Sequence, residues 1–439
     1  MGSYLALTEK DRAEMLSVLG IKDVNELFSK IPEEVKLKNL NIPSGMSEIE
    51  LSRKFKNLAL QNRVFPVIFR GAGAYKHYIP AAVKRITSNE TFITAYTPYQ
   101  PEISQGILQS IFEYQTMICS LTGMDVSNAS VYDGASAAAE AVNMCRERER
   151  QGIFVSGAAH PQVIETIATY CTGYGIPLAV VPMDNNGKTD KEAFKKLLNS
   201  DKNAAGFYIQ NPNYYGLIED VPDFAEITHN AGALLVAGVY PMSLGLLECP
   251  GVLGADIAVG EGQPLGMPLA FGGPYLGFMA CKSALMRKLP GRIIGETTDS
   301  KGERAFVLTL QAREQHIRRE KASSNICSNE AHCALTAAVY LAVMGEEGFA
   351  EAARQCHDKA VYAAKLISGI PGYSLSHKGE FFNEFVTSCP DTEKTLALLE
   401  KHGILGGYPV SSRELLWCVT EANSREEIEE LVRVLREGK

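Results

Sequence analysis

The sequence predicts an α/β fold, in which a mostly parallel sheet carries helices on both faces and a small C-terminal α+β domain follows. Three observations predict it. Short apolar runs recur between helical stretches, at residues 152–156, 178–181, 206–210, 234–239 and 257–259, without the alternation of a half-exposed strand. A parallel strand is covered on both faces and reads as such a run. The segments between them carry apolar residues at helical spacing. After residue 331 the pattern becomes a long helix, then strand, strand, helix, strand, helix, the order of a compact antiparallel α+β unit. At 439 residues the chain exceeds one ordinary core. The expected division is an N-terminal helical arm over 1–65, a large domain over 66–330 and a small domain over 331–439.

In order along the chain, Thr8-Glu9-Lys10-Asp11 offers an N-cap followed by Met15, Leu16, Val18 and Leu19 on a helix. A short helix is expected near 24–28. Ser47-Glu48-Ile49-Glu50 opens another over 47–61, with Leu51, Phe55, Leu58 and Ala59 on one face. The apolar faces of this arm need a cover, which a partner chain or the main domain would supply.

Gly71-Ala72-Gly73-Ala74-Tyr75 and Thr94-Ala95-Tyr96-Thr97-Pro98-Tyr99 are loops by their Gly and Pro content. Pro80 closes the first where a dinucleotide-binding helix would have to run. Residues 104–122 form an amphipathic helix. Asp133-Gly134-Ala135-Ser136 opens a helix rich in alanine, so its free N–H groups could face a phosphate, or the alanines could serve close packing. Residues 283–289 are a short helix, 313–321 a charged helix or turn, and 331–368 a long helix broken near 345–348. In the small domain, strands are expected at 373–375, 382–386 and 415–419, with helices at 392–402 and 425–436.

The net charge of −8 comes with no strongly basic tract, which argues against nucleic acid as a partner. Ten cysteines are scattered without a C-x-x-C pair or zinc-ligand spacing, so no metal site is expected, and they read as buried thiols of a reduced, cytoplasmic protein. The N-terminus lacks the pattern of a signal peptide, and Ala6 stands where a myristoylation motif needs Ser or Thr. No run of about 18 apolar residues is present, so no membrane span is expected.

Three segments carry a resemblance. They are the run from Thr94 through Tyr99-Gln100-Pro101-Glu102 to Gly106, the Phe271-Gly272-Gly273-Pro274 turn, and Gln311-Ala312-Arg313-Glu314-Gln315-His316-Ile317-Arg318-Arg319-Glu320-Lys321-Ala322-Ser323-Ser324-Asn325-Ile326-Cys327. Together they resemble the P-protein of the glycine cleavage system, from about residue 4 to the C-terminus. The resemblance implies the fold of PLP-dependent transferases of fold type I (aminotransferase-like), PLP being pyridoxal phosphate. It implies an oxidoreductase that decarboxylates glycine and passes the aminomethyl group to the lipoyl arm of the H-protein. The family occurs as one chain of two homologous halves or as two subunits, and this chain resembles the first half. The PLP-bearing lysine belongs to the second, so a beta subunit would carry PLP in an alpha2beta2 heterotetramer.

The residues agree with that assignment. No Lys or Arg occurs from Asn203 to Cys281, where an aldehyde-binding lysine is expected. The run Val236-Ala237-Gly238-Val239-Tyr240 lacks an Asp for the pyridinium nitrogen, and the lysine's place, about seven residues past Asp256, falls at Gly262-Gln263-Pro264. Gln263 and His160 are then degenerate cofactor positions, and no cofactor is expected on this chain. Lys282 is the remaining lysine for a stand-alone PLP enzyme; a purely structural pseudoenzyme subunit is the other alternative. Tyr96, Tyr99, Glu102, Arg313, His316 and Arg318 are the expected contributors to the partner's site, to H-protein docking or to the subunit interface.

Overall fold

The structure, a computed structural model, describes residues 7–37, 41–95, 98–322, 324–326 and 328–438. Contacts divide it into two compact units, Met1–Val64 and Phe65–Lys439.

In the first unit, α1 (Glu9–Leu19) and α2 (Glu48–Ala59) both begin with a capping box. Thr8 accepts from the Asp11 N–H at 3.2 Å while Asp11 accepts from the Thr8 N–H at 2.8 Å, so two otherwise orphaned donors are satisfied reciprocally. Ser47 and Glu50 repeat the arrangement. Residues 24–28 form a 3₁₀ turn. No described residue of this unit is buried, and Val18, Leu19 and Phe55 are exposed.

The second unit is built on a seven-stranded sheet. Its strands are β1 (Val126–Ser127), β2 (Gly152–Ser156), β3 (Leu178–Val181), β4 (Ala204–Asn211), β5 (Leu234–Val239), β6 (Ile257–Glu261) and β7 (Gly277–Cys281). The spatial order is β1-β7-β6-β5-β4-β2-β3. The pairs from β6 to β3 are parallel, and β7 runs antiparallel to both its neighbours. Side chains alternate between two cores. Phe207, Ile209, Leu235 and Ala258 pack under α3 (Gln105–Thr122) and, further along the chain, Phe194, Phe224 and Tyr340. Tyr208, Val236, Ile257 and Val259 face α4 (Gly134–Met144) and α5 (Pro161–Tyr174). The helices Lys191–Ser200 (α6) and Val221–Asn230 (α7) complete the first face.

The long helix α8 (Ala331–Ser368) breaks at Gly345, whose φ of 62° and ψ of 179° lie outside helical values. Its first part, including Ala334, Ala337 and Tyr340, lies in the sheet's core, and Ala360, Ala363 and Ile367 lie in a separate core beneath the small sheet. By length and composition α8 could cross a membrane, at a mean hydropathy of 1.2 in its richest stretch; its apolar residues instead fill these two cores.

A hairpin of β8 (Ile293–Thr298) and β9 (Arg304–Thr309) was not expected from the sequence, because its alternation is broken by Gly295 and by exposed polar positions. In the C-terminal sheet β10 (Glu384–Ser388) and β11 (Tyr408–Ser411) flank β12 (Glu414–Cys418), backed by α9 (Thr392–Lys401) and α10 (Arg425–Glu437). The strand expected at 373–375 is reduced to one bridge, Leu375 to Thr387, bounded by the N–H groups of Ser388 and Ser376 donating to the Ser374 and Val386 carbonyls; the turn at 371–372 and the bend at 376–377 limit it to that length. Trp417 is fully buried beneath this sheet and donates from Nε1 to Thr387 Oγ1 at 2.8 Å. Trp417→Ala should cost about 3–5 kcal/mol, the usual range for emptying a large aromatic site. Because Trp417 is the chain's single tryptophan, urea unfolding followed by far-UV circular dichroism is the suitable measurement.

Candidate active-site cavity

The parallel strands end on one side of the sheet, and a cavity of about 360 Å³ opens there on the α4–α5 face. Tyr75 and Tyr240 lie on one side with ring centroids 4.3 Å apart. Tyr208 and Gly238 form the strand surface, His160 stands at one wall, and Asp133 and Glu261 meet at the start of α4.

Glu261 ends β6 on the α4 face. Its Oε2 accepts from the Gly134 N–H at 3.1 Å, and its Oε1 accepts from the N–H groups of Gln263 and Leu276 at 2.9 and 3.1 Å. A Cβ on Gly134 would lie 2.8 Å from the Glu261 nitrogen, so only glycine lets the helix start this close to the strand end. Burial pushes the Glu261 carboxyl up to about 7, and the three N–H bonds pull the other way. Asp133 caps the same helix, accepting from the Ser136 N–H at 2.7 Å. Ala137, Ala138, Ala139 and Ala141 are fully buried, so the alanines of α4 serve packing. The positive end of α4 faces two carboxylates of its own chain. Nothing in the sequence singles out Glu261 beyond a charged residue closing an apolar strand.

Gln263 is 1% exposed and fully engaged. Its Oε1 accepts from the Tyr75 N–H at 3.2 Å, and its Nε2 donates to the carbonyls of Tyr75 and Met267 at 3.0 and 2.8 Å. The Tyr75 hydroxyl donates to Glu384 Oε2 at 2.7 Å, and Glu384 Oε1 accepts from the Ala72 N–H at 2.7 Å. His160 Nδ1 accepts from the Gln162 N–H at 3.1 Å, leaving Nε2–H to donate to the Ala72 carbonyl at 2.9 Å. These bonds fix the neutral tautomer, and burial lowers the His160 pKa in the same sense.

Behind Tyr240, His77, Cys356 and Glu421 bring three donor atoms within 4.8 Å of one another. No spacing motif could reveal this grouping, since its members come from three distant segments. His77 Nδ1 is 2.7 Å from Glu421 Oε2, the Cys356 thiol donates to the same oxygen at 3.2 Å, and the Tyr240 hydroxyl bonds the other ring nitrogen. As built, the group fastens Tyr240 and the 75–78 loop to α8. The described cysteines are free and mostly buried.

The expected contributors are only partly gathered. Tyr96 lies outside the described residues. Tyr99 donates to Asn329 Oδ1 at 3.0 Å and lies under the Arg292 guanidinium, 4.4 Å from the ring centroid. Arg292 pairs with Glu314, whose carboxylate also stands 3.5 Å from His316 Nδ1. Arg313 donates to the carbonyls of Leu289 and Gly291. Arg318 is exposed and donates to the Ala312 carbonyl at 3.2 Å; Glu102 is exposed in the turn before α3. Tyr99, Arg313 and His316 thus share one cluster organised by Arg292 and Glu314, which the sequence alone does not bring together. Lys282 follows β7 at the opposite end of the strands, bonded to Asp256 at 3.2 Å, about 15 Å of strand from the cavity.

The glycine cleavage system P-protein family matches residues 2–435. The chain belongs to that family. It is 51% identical to the probable glycine dehydrogenase (decarboxylating) subunit 1 of Moorella thermoacetica, over 99% of each chain. The protein of the same name in Listeria monocytogenes is 46% identical, again over 99% of each. Among solved structures, an inhibitor-bound glycine decarboxylase (P-protein) of the glycine cleavage system superimposes with a TM-score of 0.93 at 40% identity, over all of both chains. An alanine–glyoxylate aminotransferase from Nostoc, at 15% identity and a TM-score of 0.61 over 95% of this chain and 100% of its own, shares the fold alone. The fold is that of PLP fold type I enzymes.

PLP, the cofactor this fold implies, does not fit the residues present in this member of the P-protein family. No Lys or Arg is among the cavity's lining residues, Gln263 is bonded away from it, and a phosphate at the start of α4 would meet Asp133 and Glu261.

Glu384 supplies a pH test. Burial pushes its carboxyl up to about 7, against the lowering effect of its bonds from Ala72 and Tyr75. A raised carboxyl pKa gives stability that is complete below the unfolded value and lost as pH rises through about 7. Glu384→Gln should therefore be about as stable as the parent near about pH 5 and more stable above about pH 8, by an unfolding free energy on the order of 3 kcal/mol. Calorimetric scans across that range measure it.

Proposed function

We propose that this chain is the non-PLP-bearing subunit of glycine decarboxylase. It pairs with a PLP-bearing subunit 2 (beta) in an alpha2beta2 heterotetramer that decarboxylates glycine and transfers the aminomethyl group to the lipoyl arm of the H-protein. One observation carries the reading: the cavity at the strand ends keeps the fold's position but has no amine, with Gln263 tied off in the lysine's place. The similarity to subunit 1 proteins over nearly the whole length supports a partner. The exposed apolar side chains of the arm, Val18, Leu19 and Phe55 among them, are surface of the kind a partner subunit covers.

In this reading residues 1–65 are an interface arm, 66–330 the large domain and 331–439 the small one, and the complex is cytoplasmic. Tyr99 and Arg313 hold the 311–321 segment in place. His316, Arg318 and Glu102 are the exposed groups that reach the partner, and the two basic ones suit a substrate carboxylate or an acidic H-protein surface. The chain alone is inactive, and Lys282, at the far end of the strands, gives no stand-alone PLP enzyme.

Glycine–CO₂ exchange should appear only when this chain, subunit 2 and PLP are mixed, with H-protein present, and the chain by itself should show no internal-aldimine absorbance. Arg318→Ala should abolish exchange while size-exclusion chromatography still finds the assembled complex. Exchange unaffected by omitting this chain would contradict the proposal, and loss of assembly in the variant would make Arg318 an interface residue instead.

A further inference from the structure

We propose that the cavity at the strand ends binds a small organic ammonium compound. Its volume of about 360 Å³ lies within the usual range for small-molecule sites. Its acidic lining groups are Asp133 and Glu261, the latter charged above about pH 7, with no Lys or Arg among the lining residues. His160 adds no positive charge, since its hydrogen bonds hold the neutral tautomer. The N-terminus of α4, the one feature that would draw an anion, already has its Gly134 and Ser136 N–H groups bonded to these two carboxylates. Tyr75, Tyr208, Tyr240 and Tyr275 line the rest, and aromatic faces attract cations.

A second observation points to a ligand independently of the charges. Tyr208 is 3% exposed, yet among the described residues nothing hydrogen-bonds its hydroxyl, which opens on the cavity beside Gly238. A Cβ at Gly238 would stand 2.1 Å from that oxygen, so the glycine makes room for the phenol. The side chain is held in place while its oxygen faces the cavity without a partner among the described residues, and an ammonium donor there would supply one. Negative charge, aromatic walls and an unused acceptor therefore converge on one class of ligand. The inference concerns this chain's own cavity and does not depend on the partner subunit.

Propylammonium is a suitable probe, with 1-propanol as its neutral isostere and propionate and inorganic phosphate as anions. Each is titrated by saturation-transfer NMR into the full chain, alone and assembled with subunit 2, at constant ionic strength. Propylammonium should bind saturably and about tenfold or more tighter than 1-propanol, as an added charge contact implies, and neither anion should compete. Asp133→Asn keeps an oxygen for the Ser136 N–H but removes the charge, and Tyr208→Phe removes only the hydroxyl. Each should weaken propylammonium about five- to tenfold with the melting temperature unchanged. Propylammonium binding no tighter than propanol, competition by phosphate, or parent-like affinity in both variants would overturn the proposal.

Discussion

The arrangement of the cavity depends on the meeting of Glu261 with the first turn of α4. A helix start normally presents unsatisfied N–H groups and a partial positive charge to whatever lies beyond it. Here the end of β6 comes close enough, past the missing side chain of Gly134, for a carboxylate to take that place. The same carboxylate holds the N–H groups of Gln263 and Leu276, which fixes the chain leaving β6 and the chain entering β7. One residue thus closes the helix and shapes two loops, and with Asp133 it makes the cavity's lining acidic.

Gln263 extends this order outward. Its amide makes both hydrogen bonds with the Tyr75 backbone, which places the Tyr75 ring against Tyr240 and its hydroxyl on Glu384. An amide suits this task because it donates and accepts at once, whereas a lysine could only donate. In the proposed reading, the residue that stands where an amine is expected is also a structural tether.

Much of the seven-stranded sheet was legible in the sequence because buried parallel strands are continuous apolar runs. Strands 152–156, 178–181 and 234–239 have the bounds read from that pattern, and Gly345 breaks α8 within the expected stretch. Capping signals placed α1 and α2, since cap chemistry is local. The β8–β9 hairpin was less legible because Gly295 and half-exposed positions break its alternation, and the small sheet because β10 pairs with a strand distant in sequence. At the site, the absence of lysine was plain from the sequence. The roles of Glu261, Glu384 and Arg292 were not, since each is defined by a contact with a segment more than a hundred residues away or by a loop's return. The charged segment 311–321 showed the same limit: its composition was evident, but its division into anchored Arg313 and exposed Arg318 follows only from the fold.

The chain's own carboxylates occupy the start of α4, where a cofactor phosphate would have to sit. Phosphorus-31 NMR of PLP added to the purified full chain tests it most directly. A single resonance at the position of free PLP is expected, with no pyridoxyl lysine after borohydride reduction. A bound phosphate resonance, or a labelled lysine in the cavity, would contradict it.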